Sequence, residues 1–187
     1  MDNIFICTPS LLSTFNFYFL INLLIAYPFD SMKLFHIIIA SGFGSGFSPF
    51  APGTAGALLA SVLWVVLYNW IPFTWLIPIT VGLVILFTLL GIWSANYLER
   101  YWGKDPSRIV VDEMVGVWIP LLAVPESSSW CWYVLAAFIL FRLFDIFKPL
   151  GIRSMESLKG GVGVMMDDVL AGAYSFIILV GIRWVIG

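Results

Sequence analysis

Between Lys33 and Glu99 no side chain carries a formal charge at pH 7, counting His36 as neutral. A membrane helix needs roughly 20 predominantly apolar residues, so this interval has room for two crossings and an irregular entry. The pattern predicts the first crossing from about Gly53 to Ile71 and the second from about Leu76 to Tyr97, after a short turn holding Pro72 and Pro78. A third apolar stretch, Val110–Val124, opens on Asp112 and Glu113 and contains Pro120. A fourth, Cys131–Phe147, is stopped by Pro149, and a fifth, Val169–Ile186, follows Asp167 and Asp168. The expected class is all-α: an integral membrane protein of about four to six membrane-embedded helices with a glycine-rich re-entrant segment.

Residues 1–32 read as an N-terminal extension, and residues 33–187 as the membrane domain. Leu11–Phe29 has the length and apolarity of a further span, although Asn16 and Asn22 weaken it. A signal peptide is disfavoured because Asp2 stands where a basic region is usual. Met32-Lys33 also reads as a translation start.

Composition narrows the class further. Hydrophobic residues make up 61% of the 187 residues and charged ones 11%, too few to coat a water-soluble globule of this size. The net charge of −2, without a basic stripe, gives no reason to expect nucleic acid as a partner. Cys7 and Cys131 form neither a disulfide framework nor a zinc motif. The lone His36 supplies neither a histidine metal site nor a two-histidine phosphatase centre, and reads as a packing residue near a segment end.

Counting the five crossings places the segment before Gly53 and the loops 98–110 and 148–168 on one side. Those loops hold Arg100, Lys104, Arg108, Lys148, Arg153 and Lys159, whereas the opposite loops, 72–75 and 125–130, hold no Lys or Arg. The positive-inside rule makes the basic side cytoplasmic. Arg183 is the one basic residue that the count sends outside.

Three unusual segments fall on that side. In Gly42–Thr54 the glycines can turn consecutive N–H groups toward one anion at the start of a helix, with Gly44, Ser45, Gly46 and Thr54 as candidate phosphate contacts. The same glycines equally suit a closely packed re-entrant turn, and no GK[ST] follows to make a Walker loop. The second segment is Asp112-Glu113, with Gly116 one turn on. The third runs from Arg142 through Asp145, Lys148 and Arg153 to Asp167-Asp168, with Gly172 one turn beyond Asp168. Arg142 and Asp145 share a helix face and can pair.

Carboxylates favour helix N-termini, which would explain where these acids stand but not their number. An Asp in mid-membrane costs roughly 2.5–3.5 kcal/mol on insertion scales, so acids within or bordering spans are functional candidates. A cluster of oxygens without His or Cys suits Mg2+, which takes one or two carboxylates and leaves positions for water and substrate phosphate. Arg142, Lys148 and Arg153 add the cations that a phosphate site wants.

The strings GFGSGFSPFAPGTAG, VVDEMVGVW, FRLFDIFKPLGIR and GGVGVMMDDVLAG, in this order, resemble the phosphatidylglycerophosphatase A family. The resemblance covers about Lys33 to Gly187. It implies a small multihelical, magnesium-dependent enzyme of the bacterial cytoplasmic membrane. The implied reaction removes the terminal phosphate of phosphatidylglycerophosphate, leaving phosphatidylglycerol and inorganic phosphate. The family's acidic positions fall on Asp112, Glu113, Asp145, Asp167 and Asp168, expected as metal ligands. Its basic positions fall on Arg142, Lys148 and Arg153. Asp168 and Asp112 stand as candidate catalytic carboxylates, with the division between proton acceptor and metal ligand left open. The DxDx[TV] signature of aspartyl-phosphate hydrolases is missing. A cation-coupled transporter using the acids as its pathway, or a non-catalytic lipid-binding subunit, is the rival reading.

Overall fold

Four of the expected spans form as long helices. The computed structural model describes residues 31–186 apart from Asp105 and Glu156, with Ile186 described by its backbone alone. Leu11–Phe29, the candidate for a further span, lies outside the described residues. In chain order the helices are α1 (Ser31–Ala40), α2 (Pro52–Trp70), α3 (Phe73–Trp102), α4 (Val111–Leu121), α5 (Trp130–Phe147), the short α6 (Ile152–Met155) and α7 (Gly161–Ile186). A 3₁₀ turn, Ser45–Phe47, precedes α2, and no strand occurs among the described residues. Helices α2, α3, α5 and α7 are long and apolar enough to cross a membrane.

Local chemistry sets the ends of these helices. Pro52 opens α2, where its missing N–H would have no intrahelical partner anyway. Ile71 precedes Pro72, adopts an extended conformation and ends the helix. Pro78 was expected in the turn, yet it lies inside α3. So close to the start of a 30-residue helix it removes a single backbone bond, a loss that membrane helices tolerate. The α2–α3 hairpin is tied by Trp64, whose Nε1 donates to Thr80 Oγ1 at 3.0 Å.

The third expected span is different in kind. Helix α4 has 11 residues, about 16 Å of helix, roughly half of a ~30 Å hydrocarbon core. Every one of its residues except Glu113 and Ile119 is buried, so it runs through the bundle rather than along lipid. Near Pro120 the helix gives way to turns in which Leu122, Ala123 and Val124 donate to Ile119, Pro120 and Leu121. Irregular backbone is tolerable at membrane depth when protein surrounds it. At Ala123 the chain has reached the far end of α7, where Arg183 Nη1 donates to the Ala123 carbonyl at 3.3 Å.

Close approach of α4 to its neighbours depends on two glycines. A Cβ on Gly172 would run into the Gly116 carbonyl, and one on Gly116 would meet the Phe141 ring and the Asp168 carbonyl. Small residues of this kind let membrane helices bring their backbones together. Trp118 Nε1 fastens α4 to α2 by donating to the Ala60 carbonyl at 3.0 Å.

The start of α2, the end of α3, the start of α4, the end of α5 and the start of α7 meet at one end of this bundle. Gly53 lies against Glu113 and Arg142, Gly91 against Met165 and Val111, and Asn96 Oδ1 accepts from Gly161 N at 2.7 Å. At the other end Tyr68 stacks on Trp130 with centroids 4.9 Å apart. His36 is fully buried, its Nδ1 3.1 Å from Ser94 Oγ and its ring stacked on Tyr97, which is the packing role expected of it.

Candidate active site

Three carboxylates from two helices converge at the end where the basic loops lie. Asp112 and Glu113 occupy the first turn of α4, and Asp168 projects from α7. One oxygen from each lies within 4.8 Å of the other two. Asp112 and Asp168 are buried, at 8% and 3% exposure. Glu113 N donates to Asp112 Oδ1 at 3.0 Å, while Glu113 Oε2 is buried without a hydrogen-bond partner.

Capping accounts for only part of this. Asp112 and Glu113 do sit at a helix start, as that explanation requires. Asp167 and Asp168 were expected just before the last span, but α7 begins at Gly161 and has no acid in its first turn. Both are thus held inside the helix, and Asp168 faces the acids of α4.

The two remaining acids are paired with cations. Asp145 Oδ2 accepts from Arg142 Nη1 at 2.5 Å, one turn back on α5. Asp167 Oδ2 accepts from Lys148 Nζ at 2.6 Å. Arg142 also lies beside Gly53 in the first turn of α2, and its Nε is buried without a hydrogen-bond partner. Lys148 ends α5 in a left-handed conformation, φ 46°, and so stands where the chain turns toward α6. Arg153 is exposed on α6.

Geometry disfavours the glycine segment as a phosphate cradle. The amides of Gly44, Ser45, Gly46, Phe47 and Ser48 all donate to carbonyls of residues 41–45. Ser45 Oγ donates to the Gly42 carbonyl at 2.9 Å. With its donors turned inward the loop serves as a packing element. A Cβ on Gly46 would collide with the Arg108 carbonyl, and Val110 N donates to Ala40 O at 2.9 Å. The loop thereby holds residues 108–110, the approach to Asp112. Thr54 lies half-buried in the first turn of α2, next to Gly53.

The donor set suits a hard divalent cation. Three carboxylate oxygens this close repel one another in a medium that water penetrates poorly, and a shared cation removes the repulsion. The partnerless Glu113 Oε2 is a further oxygen available to it. Cations at Arg142 and Lys148 border the cluster.

A cleft of about 390 Å³ opens beside this cluster between the end of α3 and the start of α7. Asp167 forms part of its wall, with Glu99, Lys104, Gly160 and Gly161. No motif surrounds Glu99, Lys104 and Asn96, and of these only Lys104 has a role in the sequence reading, as one of the basic loop residues that orient the chain. Their one signal was the polar end of an otherwise apolar span.

The model of the family described as phosphatidylglycerophosphatase A matches residues 38–183. A Bacteroides thetaiotaomicron protein whose provisional name is phosphatidylinositol-3-phosphatase is 70% identical over 151 residues, covering 81% of this chain and 95% of that one. The phosphatidylglycerophosphatase A of Escherichia coli is 39% identical over 80% of this chain and 86% of its own. That of Haemophilus influenzae is 43% identical over 79% and 88%. No solved structure matches.

Proposed function

We propose that this chain, which belongs to the phosphatidylglycerophosphatase A family, hydrolyses the terminal phosphomonoester of phosphatidylglycerophosphate to phosphatidylglycerol and inorganic phosphate. It is a multi-pass membrane enzyme, and we place its site at the cytoplasmic face of the bacterial inner membrane. The observation that carries the reading is the triad of Asp112, Glu113 and Asp168, both aspartates buried, bordered by Arg142 and Lys148. The orientation rests on the basic residues gathered at that end.

Asp112, Glu113 and Asp168 would hold Mg2+, and Asp145 and Asp167 would position the cations beside it. When bound, the ion neutralises phosphoryl oxygens and makes a coordinated water more acidic. Arg142, oriented by Asp145, donates to the phosphate oxygens and sets the phosphorus in line for attack. Water oxygen forms a bond to phosphorus as the bond to the glycerol oxygen breaks. Asp168 or Asp112 takes the proton from the attacking water, and the departing glycerol oxygen takes one from solvent water.

The 70% identical relative supports a second substrate reading, a phosphoinositide with its phosphomonoester on inositol. Both lipids join a polyol to diacylglycerol through a phosphodiester and carry a phosphomonoester on that polyol. Three acids packed at one end of the bundle are a poorer match to a transport path, which needs ligands near the midplane.

Phosphate release by purified protein in detergent decides between these readings. Turnover of phosphatidylglycerophosphate that exceeds turnover of phosphatidylinositol 3-phosphate, and that stops in EDTA, is the expected result. The reverse preference would retain the chemistry and change the substrate. Full activity in excess chelator would remove the metal from the mechanism.

A further inference from the structure

The cleft beside Asp167 has no role in the chemistry above, although it shares a wall with the site. Its other walls come from the last turns of α3, the linker that follows, and the glycine-rich start of α7. Among the described residues, two charged side chains outside the carboxylate cluster line it: Lys104, exposed in the linker, and Glu99, exposed near the end of α3. A cation and a carboxylate in one cleft do not suit a bare phosphate, because Glu99 would repel it. They suit a ligand with an anionic phosphate at one point and a hydroxyl donor at another.

We propose that this cleft is the headgroup subsite, with Lys104 contacting the phosphodiester and Glu99 accepting from a hydroxyl of the polyol. The proposal rests on the phosphatase reading and deepens it, because it names the groups that select the substrate. The terminal phosphate lies past Asp167, at Arg142 and the carboxylate triad, while the polyol and its diester remain in the cleft. A volume of about 390 Å³ lies in the range of small-molecule sites. Lys104 is thus a specificity-determining residue, remote from the atoms that react.

The test compares phosphatidylglycerophosphate with phosphatidic acid, whose phosphomonoester sits directly on diacylglycerol without polyol or diester. In Lys104→Ala the ratio of kcat/KM for the two lipids should fall about tenfold, the ordinary worth of one charge-assisted hydrogen bond. The change should lie mainly in KM for phosphatidylglycerophosphate, and Lys104→Arg should restore most of the ratio. A variant that merely disturbs the fold lowers both activities together and leaves the ratio where it was. An unchanged ratio in both Lys104→Ala and Glu99→Gln overturns the subsite. If the native protein releases phosphate from neither lipid, the phosphatase reading fails. Binding of short-chain phosphatidylglycerol then decides the subsite: about tenfold weaker binding by Lys104→Ala supports it, and equal binding overturns it.

Discussion

Replacing Asp168 by Asn should raise stability in the absence of divalent cation while removing most activity. The substitution keeps the shape of the side chain and deletes one of three facing charges. The three oxygens lie within 4.8 Å of one another. Two unit charges at that spacing repel by about 3.5 kcal/mol at an effective dielectric near 20. Asp168 has two such neighbours, Asp112 and Glu113, so the relief is several kcal/mol wherever all three are ionised. At a pH alkaline enough to ionise all three, and at roughly 2–4 °C per kcal/mol for a chain of this size, the variant should melt at least about 5 °C higher than the native protein in EDTA. Magnesium should reverse the order, since it stabilises a folded state that binds it by mass action. The native protein then gains Tm with added Mg2+, and Asp168→Asn gains little. Turnover should fall at least about a hundredfold, a loss near 2.7 kcal/mol of transition-state stabilisation. Thermal melting in detergent with EDTA or Mg2+, alongside phosphate release, reads both effects. A variant that melts lower in EDTA, keeps the full magnesium shift, or turns over near the native rate would refute the shared-cation reasoning.

The acids should also behave as a unit, so Asp112→Asn combined with Asp168→Asn should cost little more than the worse single change, measured as kcat/KM. Glu126, at the opposite end of the bundle, should tolerate Gln in the same assay. Arg142→Lys should lower kcat/KM at least about tenfold, because a point charge cannot both pair with Asp145 and donate in a fixed fork to phosphate. Gly116→Ala drives a methyl into the Phe141 ring and the Asp168 carbonyl and should cost about 1–3 kcal/mol in detergent melts. Gly82→Ala, with nothing near its Cβ position, should be neutral. With Cys7 and Cys131 replaced, cysteines at Ser107 and Ser157 should react with an impermeant thiol reagent only once the cytoplasmic side is opened. One at Ser128 should react from outside, and opposite labelling of Ser107 and Ser157 would break the crossing count.

Hydropathy alone determined the long helices, because the transfer of a side chain into lipid depends on its own composition and that of its near neighbours. The spans at α2, α3, α5 and α7 were therefore legible to within a few residues at most ends, as was the gathering of basic loops at one side. The four motif strings likewise held the five acids together with Arg142 and Lys148, which the structure brings to one end of the bundle. What they could not express was distance between segments. Asp112 and Asp168 stand 56 positions apart, and only the close packing of α4 on α7 through Gly116 and Gly172 brings their oxygens together. That packing also gave Asp145 to Arg142 and Asp167 to Lys148 while keeping both acids beside Asp168. Val110–Val124 read as a span because it is apolar, yet burial by protein on all sides lets a short helix and turns replace a full crossing there. The glycine segment shows the same limit. Its composition allowed amides aimed at an anion or amides closed on themselves, and in the fold the carbonyls of residues 41–45 take them while Gly46 packs against Arg108.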